Sequence, residues 1–472
     1  MKKQSSEKGQ IIVILALGMT AIVGIVALAI DGSLILNARR QDQNTADSLA
    51  LSGAGAAANR LNYYDTGVDI CGTSVGSEAT EEIVDNILET VEVDYREEFN
   101  IPSEIEVSTD ELVAYMPKLN NETLLASADR GYTVTCNDFA PLGIQFLDVH
   151  VKMSSTMDSN FAKVLYPNQL KTTVDATARV YPKQPLAYGS ALVALDPDTC
   201  GIGSGGVFIT GSSTVYINEG GIFSNTCIDA RSTVDVITGS IMAFSPNGCD
   251  GYHPSHDYPN PLECTKANEQ LGTNLVNSPY CPVDANGNPT GPIHSSSSYS
   301  GTIGPGWYTN GLNATNNQTL TLQPGLYCIK GNMDIGNKEN LIGTGVTLVF
   351  KTGAFTMNQN HKGFVQLSSC SDVGGCGTVA GWKSVPGLLM YINPAYTGDI
   401  KINGGSSNSF VGTVFAPGAN FTLNGNSSTT TPYFFNTQII GNSVKINGNA
   451  DVRLQLDTRA YTPLPASLSL IK

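Results

Sequence analysis

Residues 9 to 32, GQIIVILALGMTAIVGIVALAIDG, restrict this chain more than any other stretch. From Ile11 to Ile30 no side chain is charged, and a helix over that length spans about 30 Å, the thickness of a bilayer's hydrocarbon core. A cleaved leader is one reading. Lys2, Lys3 and Lys8 form a basic start, and Ala27-Leu28-Ala29 has the small-x-small form that signal peptidase prefers. The run is nevertheless longer than the usual leader core of about 7 to 15 residues. The stretch after it, DGSLILNARRQDQNTADSLALSGAGAAANRL, lacks proline and is rich in helix formers, so the helix is expected to continue. A retained single-pass span with ends at Ile11 and Ile30 is therefore expected, within a segment 1–60 that also holds a stub and a helical extension. Lys2, Lys3 and Lys8 before the span, against Arg39 and Arg40 after it, place the N-terminus in the cytoplasm and the bulk of the chain outside.

The remainder reads as mainly β. Of 472 residues 49 are Gly, amid runs of Ser, Thr and Asn that favour turns and short strands. The net charge of −15, with no basic cluster, excludes nucleic acid as a partner. All 10 cysteines lie downstream of the apolar run and none is in a Cys-x-x-Cys pair, which points to disulfides in an oxidising compartment.

Several polar positions flank the span at fixed places: Gly9-Gln10 before it, Asp31 at its end, then Arg39, Gln43 and Asp47. This pattern resembles the N-terminal segment of TadE/TadG-like Flp pilus-assembly proteins. Residues 149–182, VHVKMSSTMDSNFAKVLYPNQLKTTVDATARVYP, are similar to the part that closes the periplasmic region of such proteins. The resemblance implies a membrane-anchored, pilin-like component of a tight-adherence pilus whose partners are the lipid bilayer and other pilus-assembly proteins. Ile14 stands where processed type IV prepilins carry Glu, and there is no Asp-x-Ser-x-Ser motif of a von Willebrand A-type domain.

Residues 61–182 read as a small α+β unit, with a helix near SEATEEIVDNILETVEVDYREEF and four alternating strands. Cys71 and Cys136, its two cysteines, are expected to pair. YPKQPLAYG, residues 181–189, reads as a proline-stiffened linker.

Residues 183–472 carry an internal repeat. DIKING, NFTLNG and SVKING share one template with Asn at 403, 424 and 447, and looser copies end at Asn218 and Asn358. Each copy buries only two alternate side chains, such as Ile400 and Ile402, too few to stand alone. Stacking merges those pairs into one core, so the pattern predicts a parallel β-helix. An antiparallel sandwich built from Asn-Gly hairpins is the alternative. Residues 245–325, rich in Pro, Ser, Asn and Gly, read as a disulfide-held excursion.

Chemistry is sparse. His253, His256 and Asp257 are the one set with metal-ligand character, and the prolines around them favour a plain surface loop. Asp229, Asp235, Asp334, Asp399 and Asp451 are scattered one per element, unlike the paired carboxylates of a glycoside hydrolase. No cofactor and no catalytic site are expected. A membrane-tethered adhesin that binds glycans is the second reading, and a polysaccharide-active β-helix enzyme the third. Small residues Gly18, Gly24, Ala27 and the run 53–58 are expected to serve lateral helix packing.

Overall fold

The computed structural model describes residues 8–61, 89–90, 93–94, 123–124, 132–139, 144–157, 170–198, 200, 206–211, 214–218, 220–230, 233–236, 241–244, 264–267, 270–357, 361–371, 376–377, 381–404, 408–425, 433–448, 452–455 and 462–471. The chain divides into two compact units, Met1–Lys183 with Pro465–Lys472, and Gln184–Leu464.

The first unit holds α1 (Lys8–Leu61), β1 (Thr123–Leu124), β2 (Tyr132–Phe139), β3 (Ile144–Met157), β4 (Leu170–Tyr181) and, from the far end of the chain, β5 (Ser467–Ile471). The five strands form one sheet in chain order, and every pairing is antiparallel. Alternation along β4 turns Val174, Ala176, Ala178 and Val180 inward, where α1 packs across β3, β4 and β5. The last residues were expected to end the solenoid. Instead they complete this sheet, Ser467 opposite Tyr181 and Ile471 opposite Thr177. The helix expected near 77–99 lies mostly outside the described residues.

The second unit is a parallel β-helix, and the sandwich alternative falls on the parallel pairing of its rungs. Each full rung crosses three faces. Rung 1 comprises Ser190–Ala194, Gly206–Gly211 and Thr214–Asn218; rung 2 comprises Gly221–Ser224, Ile228–Ala230 and Thr233–Val236; rungs 3 and 4 are described only as Ile241–Ala243 and Cys264–Lys266. Rungs 5 to 8 begin at Ile293, Gly306, Gly325 and Val346. Rung 9 begins at Leu388, and the long strands Ser409–Gly425 and Tyr433–Gly448 carry the chain through rungs 9, 10 and 11 to Val452–Gln455. The excursion expected over 245–325 is thus shorter, because Ile293 onward already stacks in register, Ile293 opposite Trp307 and Gly301 opposite Leu320.

The template asparagines lie in one file, Asn403 beside Asn424 beside Asn447. Their neighbours Ile402, Leu423 and Ile446 are buried, as are Ile400, Phe421 and Val444. Of the looser copies, Phe355–Met357 shares this face, whereas Thr214–Asn218 lies on the third face, opposite Val452–Gln455.

Order along the stack departs from order along the chain. Rung 11 pairs with rung 1 on all three faces: Ile439 with Leu192, Ile446 with Ile209, Leu454 with Ile217. The chain therefore enters the solenoid at its middle, winds to one end, crosses to the other, and winds back to finish beside its start. The crossing is made by residues 270–292. Leu271 exchanges hydrogen bonds with Asn225 in rung 2 (2.7 and 2.8 Å), Ser278 accepts from Lys351 in rung 8 (3.2 Å), and Cys281 is bonded to Cys328 in rung 7. Six rung spacings separate rung 2 from rung 7, about 29 Å, and ten extended residues reach about 33 Å. The crossing covers the outer side of the first face, which explains strands such as Leu388–Ile392 that are buried throughout. Because entry and exit adjoin, Gln184–Pro185 pairs with Pro463–Leu464, and the whole solenoid is inserted between β4 and β5.

Cys200–Cys227 and Cys370–Cys376 are further disulfides, and Cys264 is disulfide-bonded. In rungs 5 to 7 His294, Tyr308 and Tyr327 stack at 4.6 and 5.7 Å. Burial pushes both tyrosine hydroxyls well above their ordinary pKa, and both donate to carbonyls, Tyr308 to Gly304 at 2.5 Å and Tyr327 to Gln323 at 2.8 Å.

Candidate functional site

The feature with functional character is α1, one unbroken helix of 54 residues and about 81 Å. Its two halves face different surroundings. From Val13 to Ile30 the large apolar side chains stand exposed, Ile14 at 69% and Ile25 at 68%. Water would penalise that surface by roughly 25 cal/mol for each Å². It is the one helix among the described residues long and apolar enough to cross a membrane.

Beyond it a stripe at helical spacing turns inward: Asp31, Asp42, Thr45, Ala46, Leu49, Ala50, Ala54 and Ala57 are all buried. Small side chains let the helix lie close on the sheet, where Ala176 and Ala178 are equally small. Polar groups lock it there. Thr172 on β4 donates to the Asp42 carboxylate at 2.5 Å, and Gln43 donates to the Asp175 carbonyl at 3.0 Å and to Asp47 at 2.8 Å. Ser52 donates to Asp94. On the opposite side of the sheet Arg179 makes a two-pronged pair with Asp148, both bonds 2.8 Å, over the ring of Phe146. The hydrogen bond to Asp148, acting against partial burial, raises the guanidinium above its ordinary pKa.

The residues named from sequence divide accordingly. Asp31 is 3% exposed, Gln43 and Asp47 are half-buried at the helix–sheet contact, and Arg39 is exposed. Gly9, Gln10 and Ile11 lie in the first turns of α1, and Ile30 is 41% exposed. The run 53–58, expected to pack against other helices, instead buries Gly53, Ala54, Ala57 and Ala58 within its own unit, because those positions continue the inward stripe. Gly18 and Gly24 have open space beside them. Cys136 sits on β2 opposite Leu147, while Cys71, and with it the expected pairing, lies outside the described residues. His253, His256 and Asp257 lie outside them too. Among the described residues no group of three or more potential ligands could hold a metal. Asp42 and Thr172 were not singled out from sequence, although Asp42 falls eleven residues after Asp31, three helical turns along the same face.

Residues 9–57 match the Tad family model, Flp pilus-assembly TadE/G-like. No curated protein and no solved structure matches the chain. The TadE/G-like segment coincides with α1 almost end to end, covering both the apolar half and the half seated on the sheet. Three polar residues within that segment have a physical role here: Gln43 and Asp47 serve the contact with β4, and Asp31 begins the buried stripe.

Proposed function

We propose that this chain is a single-pass, membrane-anchored structural component of a Flp-type pilus assembly system, in a minor pilin-like or anchoring role. The supporting observation is the match over residues 9–57 to a helix that is apolar and exposed for its first half and folded into its own unit for the second. A cleavable leader needs no such continuity, since removal after Ala29 would cut away the run that precedes the inward stripe. The N-terminus lies in the cytoplasm under this proposal, and the disulfides Cys200–Cys227, Cys281–Cys328 and Cys370–Cys376 favour an oxidising compartment for the solenoid. Partners are the bilayer and other pilus-assembly proteins, and no catalytic step is assigned. Sequencing the N-terminus of the protein recovered from membranes tests this. Retention of residues 8–30 in the membrane fraction is expected; a soluble polypeptide that begins near Ile30 refutes the proposal.

A further inference from the structure

If α1 is retained as an anchor, as proposed above, its far boundary is set by the surroundings of Asp31. By composition the span ends at Ile30, because Asp31 is the next residue and a carboxylate facing lipid is costly. The structure removes that objection: Asp31 is buried at 3% exposure, while Leu36 beyond it remains 60% exposed. Leu36 lies about 140° round the helix from Asp31, and Arg39 and Arg40, three and four residues on, are the first charges to follow it on the exposed surface. Neither arginine has an ion pair among the described residues.

The length of the helix also fits the deeper boundary. From Lys8 to Arg39 the helix rises about 46 Å, whereas a bilayer measures about 40–45 Å with its headgroups. Lys8 and the Arg39–Arg40 pair therefore fall one at each headgroup layer. The charge-free surface between them matches the full membrane, not its hydrocarbon core alone. We infer that Arg39 and Arg40 form an anionic-phospholipid headgroup site that fixes the depth of α1, with Leu36 immersed and Asp31 shielded by the protein at hydrocarbon depth. Arginine suits this role because its planar fork binds phosphate oxygens in pairs.

The test uses the full chain in phosphatidylcholine vesicles with and without phosphatidylglycerol, reading fluorescence quenching by lipids brominated at known depths. The unsubstituted protein, whose Trp307 and Trp382 are buried, supplies the background. Leu28→Trp reports on the anchor itself and is expected to be quenched by deep bromines. Leu36→Trp is expected to be quenched by bromines near the glycerol level, and more strongly when phosphatidylglycerol is added. That increment is lost in the Arg39→Gln/Arg40→Gln background. If position 28 is quenched by lipid while position 36 responds only to aqueous acrylamide, the anchor stands and the deeper boundary is wrong. If neither responds to lipid, the anchor reading falls as well. An unchanged phosphatidylglycerol increment in the arginine variant overturns the headgroup site.

Discussion

The join between rung 11 and rung 1 is the one place where the solenoid stacks without chain continuity, and Gln438 clasps it. This side chain is 1% exposed. Its amide donates to the carbonyls of Leu186 and Ser190, both at 2.8 Å, and its carbonyl accepts from Thr413 at 3.2 Å. The segment it holds contains Ala187 at φ 51° and Tyr188 at φ 56°, a left-handed backbone that costs about 1–2 kcal/mol for each such residue. Gln438→Leu keeps the volume and removes every one of these bonds. Two buried carbonyls lose a donor, at about 1–3 kcal/mol for each unsatisfied group. With the lower part of that range taken for each carbonyl, a loss of about 2–4 kcal/mol at the join is expected. Rung stability depends mainly on adjoining rungs, so the effect should concentrate in rungs 1 and 2. Amide hydrogen exchange there should accelerate by roughly 30-fold to several hundred-fold, at 1.4 kcal/mol for each factor of ten. Rungs 6 to 8, far along the stack, should keep their protection. Equal acceleration in both regions, or none in rungs 1 and 2, would refute the clasp.

Replacing Cys281 and Cys328 together by Ala should free the crossing segment. The sequence separation of 47 residues corresponds to about 4 kcal/mol in the chain-entropy account, and limited proteolysis should then cut between 270 and 282 under conditions that spare the parent. Thr172→Val leaves the Asp42 carboxylate without its 2.5 Å donor in a buried setting; a loss of about 1–3 kcal/mol is expected, read as faster exchange along residues 42–57 with the solenoid unaffected. The Asp284 carboxylate, which accepts from the Asn288 and Asn286 amides at 2.8 and 2.9 Å, has a pKa held below the ordinary value by those bonds, the Asn288 bond first. Its contribution to the turn is complete above about pH 4 and disappears as pH falls through the lowered value. Protection of the Asn286 and Asn288 amides should follow that course and be insensitive to pH between 5 and 8.

How far the sequence discloses this molecule depends on whether the signal is local. The long apolar helix α1 was legible because an uncharged run and an uninterrupted stretch of helix formers are both properties of neighbouring residues. The three Asn-Gly copies were equally plain, since each rung must turn at the same place and the file Asn403, Asn424, Asn447 results. Rung 5 was hidden in a region rich in Ser, Pro and Asn because two of its strands are short, Ile293–His294 and Ser298–Tyr299 having two residues each. A rung of that length shows no alternation, and only its pairing with Trp307 and Ala314 reveals it. The inward turn of Asp31 was likewise invisible: the same carboxylate reads as a membrane boundary in one dimension and as part of a buried stripe in three.

The spatial order of the rungs follows from a constraint that no local pattern carries. A solenoid wound in chain order leaves its two ends at opposite extremes of the stack, so inserting one between β4 and β5 would require a long return segment. Starting at the middle and crossing once moves that return inside the solenoid, where residues 270–292 also cover the first face, contribute Leu271, Leu275 and Val276 to an apolar layer, and are fixed by Cys281–Cys328. Exit then falls beside entry, as the pairing of Pro463–Leu464 with Gln184–Pro185 records. The sheet that seats α1 can therefore be completed by the last strand of the chain, and rung 1 has a partner on its open side only once rung 11 has been made.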